Sequence, residues 1–355
     1  MNRFTCDGSY ENDLKDYTEQ ILEKSGVSSQ TAEREIMCLA DEGNTVACKL
    51  YADLVFYKKI LRRNPYREAF SLYLRSAGIT VENGEWHCSG VSYPLSFWTI
   101  GYYLVNYRRE SSLQKCETID LIESMTIYER LATALELAVA CITFINASGA
   151  INLVGRILRE AAGDEETFAA LKDVIRETVA DRDFPEISLK VTSCDSSAQC
   201  AAIAELFFAT SAQEGYVYAC NNLAAREAAR IIRMSQSGKD EEFLKECIMK
   251  YIHYLKISAD KYEPYAANRL GLFYMTGEIK GKGGKITCRE YIDTALAKEY
   301  FTKATVYPDA NSAWSFFNLI KYFHKDYDNN IELLNEHMDY IRELNPEVYD
   351  IAMEL

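Results

Sequence analysis

The stretch that decides the fold is ADKYEPYAANRLGLFY, residues 259–274. Ala259 opens it, Ala266 follows seven residues later, and Leu270 and Gly271 complete the pattern. Small residues four or five apart share one helix face, so a second helix can approach closely there while the large residue between them fills the remaining gap. Such a stripe cannot be buried by its own helix. Two further segments align with it without a gap, ADEGNTVACKLYADLV at 40–55 and AQEGYVYACNNLAARE at 212–227. Their second Ala is Ala47 or Ala219, their large residue Tyr51 or Leu223, and the small residue after it Ala52 or Ala224. Gly43 and Gly215 occupy the same place ahead of the helix. Copies of one helical pattern predict an all-α chain of stacked helix pairs, each unit packing on its neighbours.

The second helix of a unit is also legible. Glu242–Ile257 is amphipathic and runs straight into Ala259, while Thr294–Ala304 runs into a degenerate unit ending at Ala313–Phe323. Unit starts at 212, 259 and 304 are 47 and then 45 residues apart. Arg67–Ala77 serves the 40–55 unit, and weaker units surround Tyr93–Leu104 and Ala147–Leu158. Asp183–Cys194, with Pro185 and the β-leaning run Ile187–Thr192, reads as a hinge. It divides the chain into residues 1–190, with degenerate repeats and a best unit at 40–78, and residues 191–355, with better repeats sealed by two short helices from about Asn330. Ser28, Ser29 or Thr31 offers a helix start, and Asn64-Pro65 and Asn345-Pro346 each place a capping residue before a proline suited to the first helical position.

The pattern resembles the Sel-one-like repeat family, a relative of the tetratricopeptide repeat. That family's unit has the form A-x-x-G-x-x-x-A-x-x-x-L-G-x-x-Y, then a loop, then D-x-x-x-A-x-x-Y-x-x-x-A. Residues 259–274 match nearly every position, Asp293, Leu296, Tyr300 and Ala304 resemble the second helix, and 40–55 and 212–227 match well. The likeness covers about half the chain; Asn83–Tyr93 and Gly277–Arg289 are longer loops than the family's own. The resemblance implies a right-handed α-α superhelix, a solenoid of antiparallel helix pairs, acting as a scaffold or adaptor whose concave face holds a peptide or a partner protein.

Charge narrows the partners. Of 355 residues, 39 are basic and 53 acidic, a net charge of −14 with a pI near 4.9. Such a surface repels polyanions and lacks the clustered Lys and Arg that counterion release requires, so neither nucleic acid nor an anionic membrane is expected. Met1–Lys24 lacks the basic start and apolar run of a signal peptide, and the most apolar stretch, Leu137–Ile145, is nine residues. A bilayer span needs about 20. A cytoplasmic protein is expected. Eleven cysteines, an odd number without a CxxC pair, read as reduced and mostly buried thiols. The oligomeric state is not encoded in any of these features.

No catalytic constellation emerges, and no cofactor or metal is expected. Gly277–Thr287, GEIKGKGGKIT, lacks both the preceding strand and the Gly-Lys-Ser/Thr ending of a phosphate-binding loop, and reads as a mobile insertion between helices. His87, His253, His324 and His337 are scattered, and no serine sits in G-x-S-x-G. The pairs Asp41/Glu42, Glu165/Glu166 and Glu241/Glu242 read as helix starts, where carboxylates meet the positive end of the dipole. A non-enzymatic scaffold is the primary reading. Two others compete: a peptide-sensing bacterial regulator of tetratricopeptide type, for whose effector domain the acidic first 40 residues are too short, and an enzyme, either a hydrolase built on the repeat frame or one using a spatially assembled Cys–His pair.

One surface stands out. With Ala47, Ala219 and Ala266 pointing to the core, the residues two and six later point away at 100° per residue. These are Lys49 and Asp53, Asn221 and Ala225, and Asn268 and Leu272, with Val46, Tyr218 and Tyr265 at the edge of the stripe. Stacking is expected to bring Asn221 near Asn268 and Tyr218 near Tyr265. Asn pairs with a peptide backbone and Tyr offers rigid contact area, so the partner-binding residues are expected to be Lys49, Asp53, Tyr218, Asn221, Tyr265 and Asn268.

Overall fold

A computed structural model describes residues 29–56, 65–82, 85–89, 93–106, 120–179, 185–237, 241–281, 283–309, 311–328 and 330–354. Among the described residues the regular secondary structure is helical but for two short β-hairpins, and the chain divides into two compact units, Met1–Ser211 and Ala212–Leu355. The first unit contains α1 (Ser29–Asp41), α2 (Thr45–Phe56), α3 (Pro65–Ser76), the hairpin β1 (Ile79–Glu82) and β2 (Glu85–Cys88), α4 (Pro94–Asn106), α5 (Asp120–Ser124), α6 (Ile127–Ile145), α7 (Ser148–Ala161), α8 (Glu165–Val179) and α9 (Pro185–Thr192). Helix α10 (Ser197–Gln213) closes it, running two residues past its border. The second unit contains α11 (Val217–Ser237), α12 (Glu241–Ala259), α13 (Pro264–Thr276), the hairpin β3 (Glu278–Gly281) and β4 (Gly284–Thr287), α14 (Thr294–Lys303), α15 (Ser312–Tyr322), α16 (Ile331–Leu344) and α17 (Pro346–Ala352). Each helix from α11 to α17 packs on the next, and α1 to α4 and α6 to α8 stack likewise in the first unit. The fold is all-α, with antiparallel helix pairs stacked as in an α-α solenoid.

The small residues act as the spacing required. A Cβ on Gly271 would lie 2.5 Å from the Phe301 ring, and one on Gly155 would lie 2.8 Å from the Phe208 ring. Each glycine sits five residues after a buried Ala, Ala266 or Ala150, and admits an aromatic ring from the second helix of its unit. Gly101 takes the same position five after the buried Ser96; a Cβ there would meet the Ala134 carbonyl of α6 at 3.2 Å. The weak segments at Tyr93–Leu104 and Ala147–Leu158 are therefore first helices of the same kind. A serine fastens several units: Ser76, Ser211 and Ser258 donate to the carbonyls of Thr45, Ser148 and Val217 at 2.5, 2.7 and 2.8 Å, in each case two residues before the small one.

The turn into the first helix has a fixed geometry. Gly43 and Gly215 have φ of 96° and 85°, and Tyr262, at the aligned position, is forced to 59°. Only glycine adopts that region without a steric cost. The next residue caps the helix: Asn44 Oδ1 accepts from Ala47 N at 2.9 Å, and Glu263 Oε2 from Ala266 N at 2.7 Å. Asn330 and Asn345 cap α16 and α17 as the terminal pattern required. Asn64 and Ser28 lie outside the described residues, while Pro65 does open α3.

Several expectations are corrected. Ile187–Thr192 is helical, within α9, because Ile187 and Val191 place buried side chains one turn apart and tertiary packing overrides β-propensity. The division of the chain falls at 211/212 rather than 190/191, since Cys200 Sγ donates to Leu158 O at 3.3 Å and Phe208 abuts Gly155, holding α10 to α7. Gly277–Thr287 is a β-hairpin whose Ile279 is fully buried, with Gly281 against Ile232 and Ala228 of α11. Asp41 ends α1 rather than starting a helix, because the left-handed Gly43 intervenes before Asn44; Glu165/Glu166 and Glu241/Glu242 do lie in first turns.

Candidate partner-binding face

In the second unit, the residue before the small Ala is an exposed ring. Tyr218 on α11 is 51% exposed and Tyr265 on α13 is 39% exposed. Trp314, just after Ala313 on α15, is 40% exposed. Tyr218 and Tyr265 lie in the first helical turn, ahead of the buried stripe, which turns them outward.

The asparagines behave differently. Asn221 Nδ2 donates to Glu263 Oε2 at 2.9 Å, reaching the cap of α13 instead of Asn268. Asn268 Oδ1 accepts from Asn318 Nδ2 of α15 at 3.0 Å. Each amide joins its own first helix to that of the next repeat. Glu263 is buried, and burial pushes its carboxyl above the usual range despite the bonds from Asn221, Ala266 N and Tyr265 N. Asn221 Oδ1 is buried with no hydrogen-bond partner.

One turn beyond the Asn268–Asn318 pair, Leu272 and Tyr322 line a recess of about 60 Å³ together with Arg269, Thr276, Glu278 and Lys280. The Tyr322 ring stacks on Phe301 at 6.4 Å. Arg269 donates to the Lys280 carbonyl, which fixes the hairpin against α13. Glu278 accepts ion pairs from Lys285 at 2.7 Å and Lys280 at 3.1 Å, which hold its carboxyl below the usual range.

In the first unit the expected stripe is closed. Lys49 is only 7% exposed, its Nζ lying 2.6 and 2.8 Å from the Asp53 oxygens, and Tyr73 donates to Asp53 Oδ1 at 2.6 Å. The reading of Lys49 and Asp53 as open partner contacts is corrected: α3 brings Tyr73 over that face, with Lys49 5.6 Å from its ring centroid. Sequence reasoning missed a better-exposed pair in the units it passed over. Tyr102, six residues after Ser96, is 42% exposed and carries the Arg156 guanidinium 5.2 Å above its ring; Arg156 also donates to Asn106 Oδ1 at 2.6 Å. The spacing rule applied to Tyr93–Leu104 would have found it.

Catalytic chemistry gains little from the geometry. Burial pushes the thiols of Cys141 and Cys200 up to about 12 and that of Cys288 to about 11, so they stay protonated at neutral pH. His337 Nδ1 is 2.9 Å from the Tyr327 hydroxyl inside the C-terminal packing, and His253 is exposed along α12. Among the described residues, no group of three or more His, Cys, Asp or Glu could hold a metal ion, and no helix is long and apolar enough to cross a membrane.

No family model matches the chain, and no curated protein matches it. Among solved structures, it is similar to c5321, a protective antigen present in uropathogenic Escherichia coli strains that displays an SLR fold. The two are 15% identical over 92% of this chain and 70% of that one, with a TM-score of 0.31. The local repeat geometry, and not this likeness, carries the reading that follows.

Proposed function

We propose that the protein is a non-catalytic scaffold that holds a segment of a partner protein across the first helices of Ala212–Leu355. The observation that supports this is the recurrence of an exposed ring at one repeat position, Tyr218 and then Tyr265, with a further exposed ring, Trp314, on the first helix of the next unit. Tyr and Trp anchor interfaces because they bury much area at little conformational cost. Their recurrence on successive helices matches an extended ligand that crosses repeats. Asn221 and Asn268 support this row from behind, through Glu263 and Asn318. The test is capture from the native lysate by the full chain and by a Tyr218→Ala/Tyr265→Ala variant, read by mass spectrometry. A protein retained by the wild type and lost by the variant, at unchanged circular dichroism, supports the assignment. An unchanged captured set refutes it.

A further inference from the structure

The recess beside this row says what the partner segment carries. Its volume, about 60 Å³, is far below the roughly 300–1,000 Å³ of a small-molecule site, and fits the end of one side chain. Its lining combines the apolar Leu272 and Tyr322 with two cations, Arg269 and Lys280, and one carboxylate, Glu278. Glu278, the one carboxylate of that lining, pairs with Lys280 and with the neighbouring Lys285, while Arg269 donates to the Lys280 carbonyl, so the recess and its rim carry three cations against one anion in a chain of net charge −14. Lys280 and Lys285 are more than half exposed, so their pairs with Glu278 are weak and exchangeable. A guanidinium has five N–H donors, and the bond to the Lys280 carbonyl leaves others available.

We infer that the recess receives an acidic side chain of the partner segment, adjacent to an apolar residue that packs on Leu272 and Tyr322. This rests on the docking row assigned above, because the recess continues the line of Asn268 and Asn318 by one helical turn. Charge complementarity selects the occupant: Arg269 and Lys280 outnumber Glu278 in the lining, so an acidic side chain is favoured over a basic one and competes with Glu278 for the exposed Lys280.

The experiment uses the full chain and a library of random ten-residue peptides, acetylated and amidated so that no terminal charge contributes. The peptides selected by the wild type are sequenced, and the affinity of the best is measured by fluorescence anisotropy for the wild type, Tyr265→Ala, Lys280→Glu and Arg269→Gln. The expected result is enrichment of Asp or Glu beside an apolar residue, about tenfold weaker binding for Lys280→Glu, and binding that weakens with salt. Lys280 is exposed, so its replacement tests the charge even if Arg269→Gln loosens the hairpin. Binding that depends on Tyr265 but shows no acidic enrichment and no effect of Lys280→Glu overturns this inference and leaves the docking row standing. Selection of no peptide, or binding indifferent to Tyr265→Ala, overturns both.

Discussion

Replacing Asn221 by Ala separates a supporting role from a contacting one. Asn221 Nδ2 gives Glu263 Oε2 a hydrogen bond of 2.9 Å, and the carboxylate is buried. A hydrogen bond to a charged group is worth about 1.5–3 kcal/mol, against which Ala gains roughly 0.6 kcal/mol of helix propensity and removes the unpaired Asn221 carbonyl. The bond outweighs the propensity gain by about 1–2 kcal/mol at pH 7.5, and relief of the unpaired carbonyl brings the net loss down to about 1 kcal/mol or less. Glu263 already has a raised pKa in the folded protein, so its contribution to stability is present below its unfolded pKa and is lost as pH rises through the folded value. Without Asn221 that pKa rises further, and the variant loses more at pH 7.5 than at pH 4. Urea denaturation of the full chain at the two pH values measures both numbers. In a Glu263→Gln background the pH dependence of the Asn221→Ala cost disappears, because no charge remains to be satisfied. Equal losses at pH 4 and pH 7.5, or no loss at either, would refute the claim that Asn221 serves Glu263.

Gly271→Ala places a methyl 2.5 Å from the buried Phe301 ring, so it destabilises by about 1–2 kcal/mol in spite of Ala's better helix propensity, and Phe301→Leu recovers part of the loss in calorimetry. Tyr262→Gly relieves a φ of 59°, and urea titration is expected to show a gain of up to about 1 kcal/mol once glycine's added chain entropy is deducted. Burial depresses the pKa of His337, so its stabilising contribution is complete above the unfolded value and is lost as pH falls through the folded one. The melting temperature should drop between pH 7 and pH 5, and less so in His337→Gln.

The features legible in the sequence are those in which a residue's own type does the work. A glycine at 43 or 215 announces a left-handed turn, and an Ala or Gly five residues after another small residue announces a close helix contact, as at Gly271. The serine fastenings were invisible because their acceptors are backbone carbonyls, which every residue has. The hairpin at 278–287 was misread for a related reason. Four-residue strands are too short for their alternation to register, and its stability comes from Ile279 and from glycines laid against α11, a helix about 50 residues away in sequence. The boundary error at 190/191 arose where local β-propensity was weighed without the partner helix that decides it.

The expected stripe was misassigned by a third of a turn or less, and the reason is general to stacked repeats. The position two residues after the small one points away from its own second helix, but the next repeat's first helix stands there. Trp98 occupies that position on α4 and packs where a Cβ on Gly149 of α7 would lie 3.0 Å away. Asn221 meets the Glu263 cap of α13, and Asn268 meets Asn318 of α15. Asn152, the same position on α7, is only 5% exposed. This position is the joint between repeats, so its polar residues satisfy one another. The position just before the small residue lies 60° away around the helix, since three residues turn the chain by 300°. Where it carries a ring, as at Tyr218 and Tyr265, that ring projects beyond the joint. Mutations meant to remove a partner therefore belong there, and mutations meant to loosen the stack belong at Asn221 and Asn268.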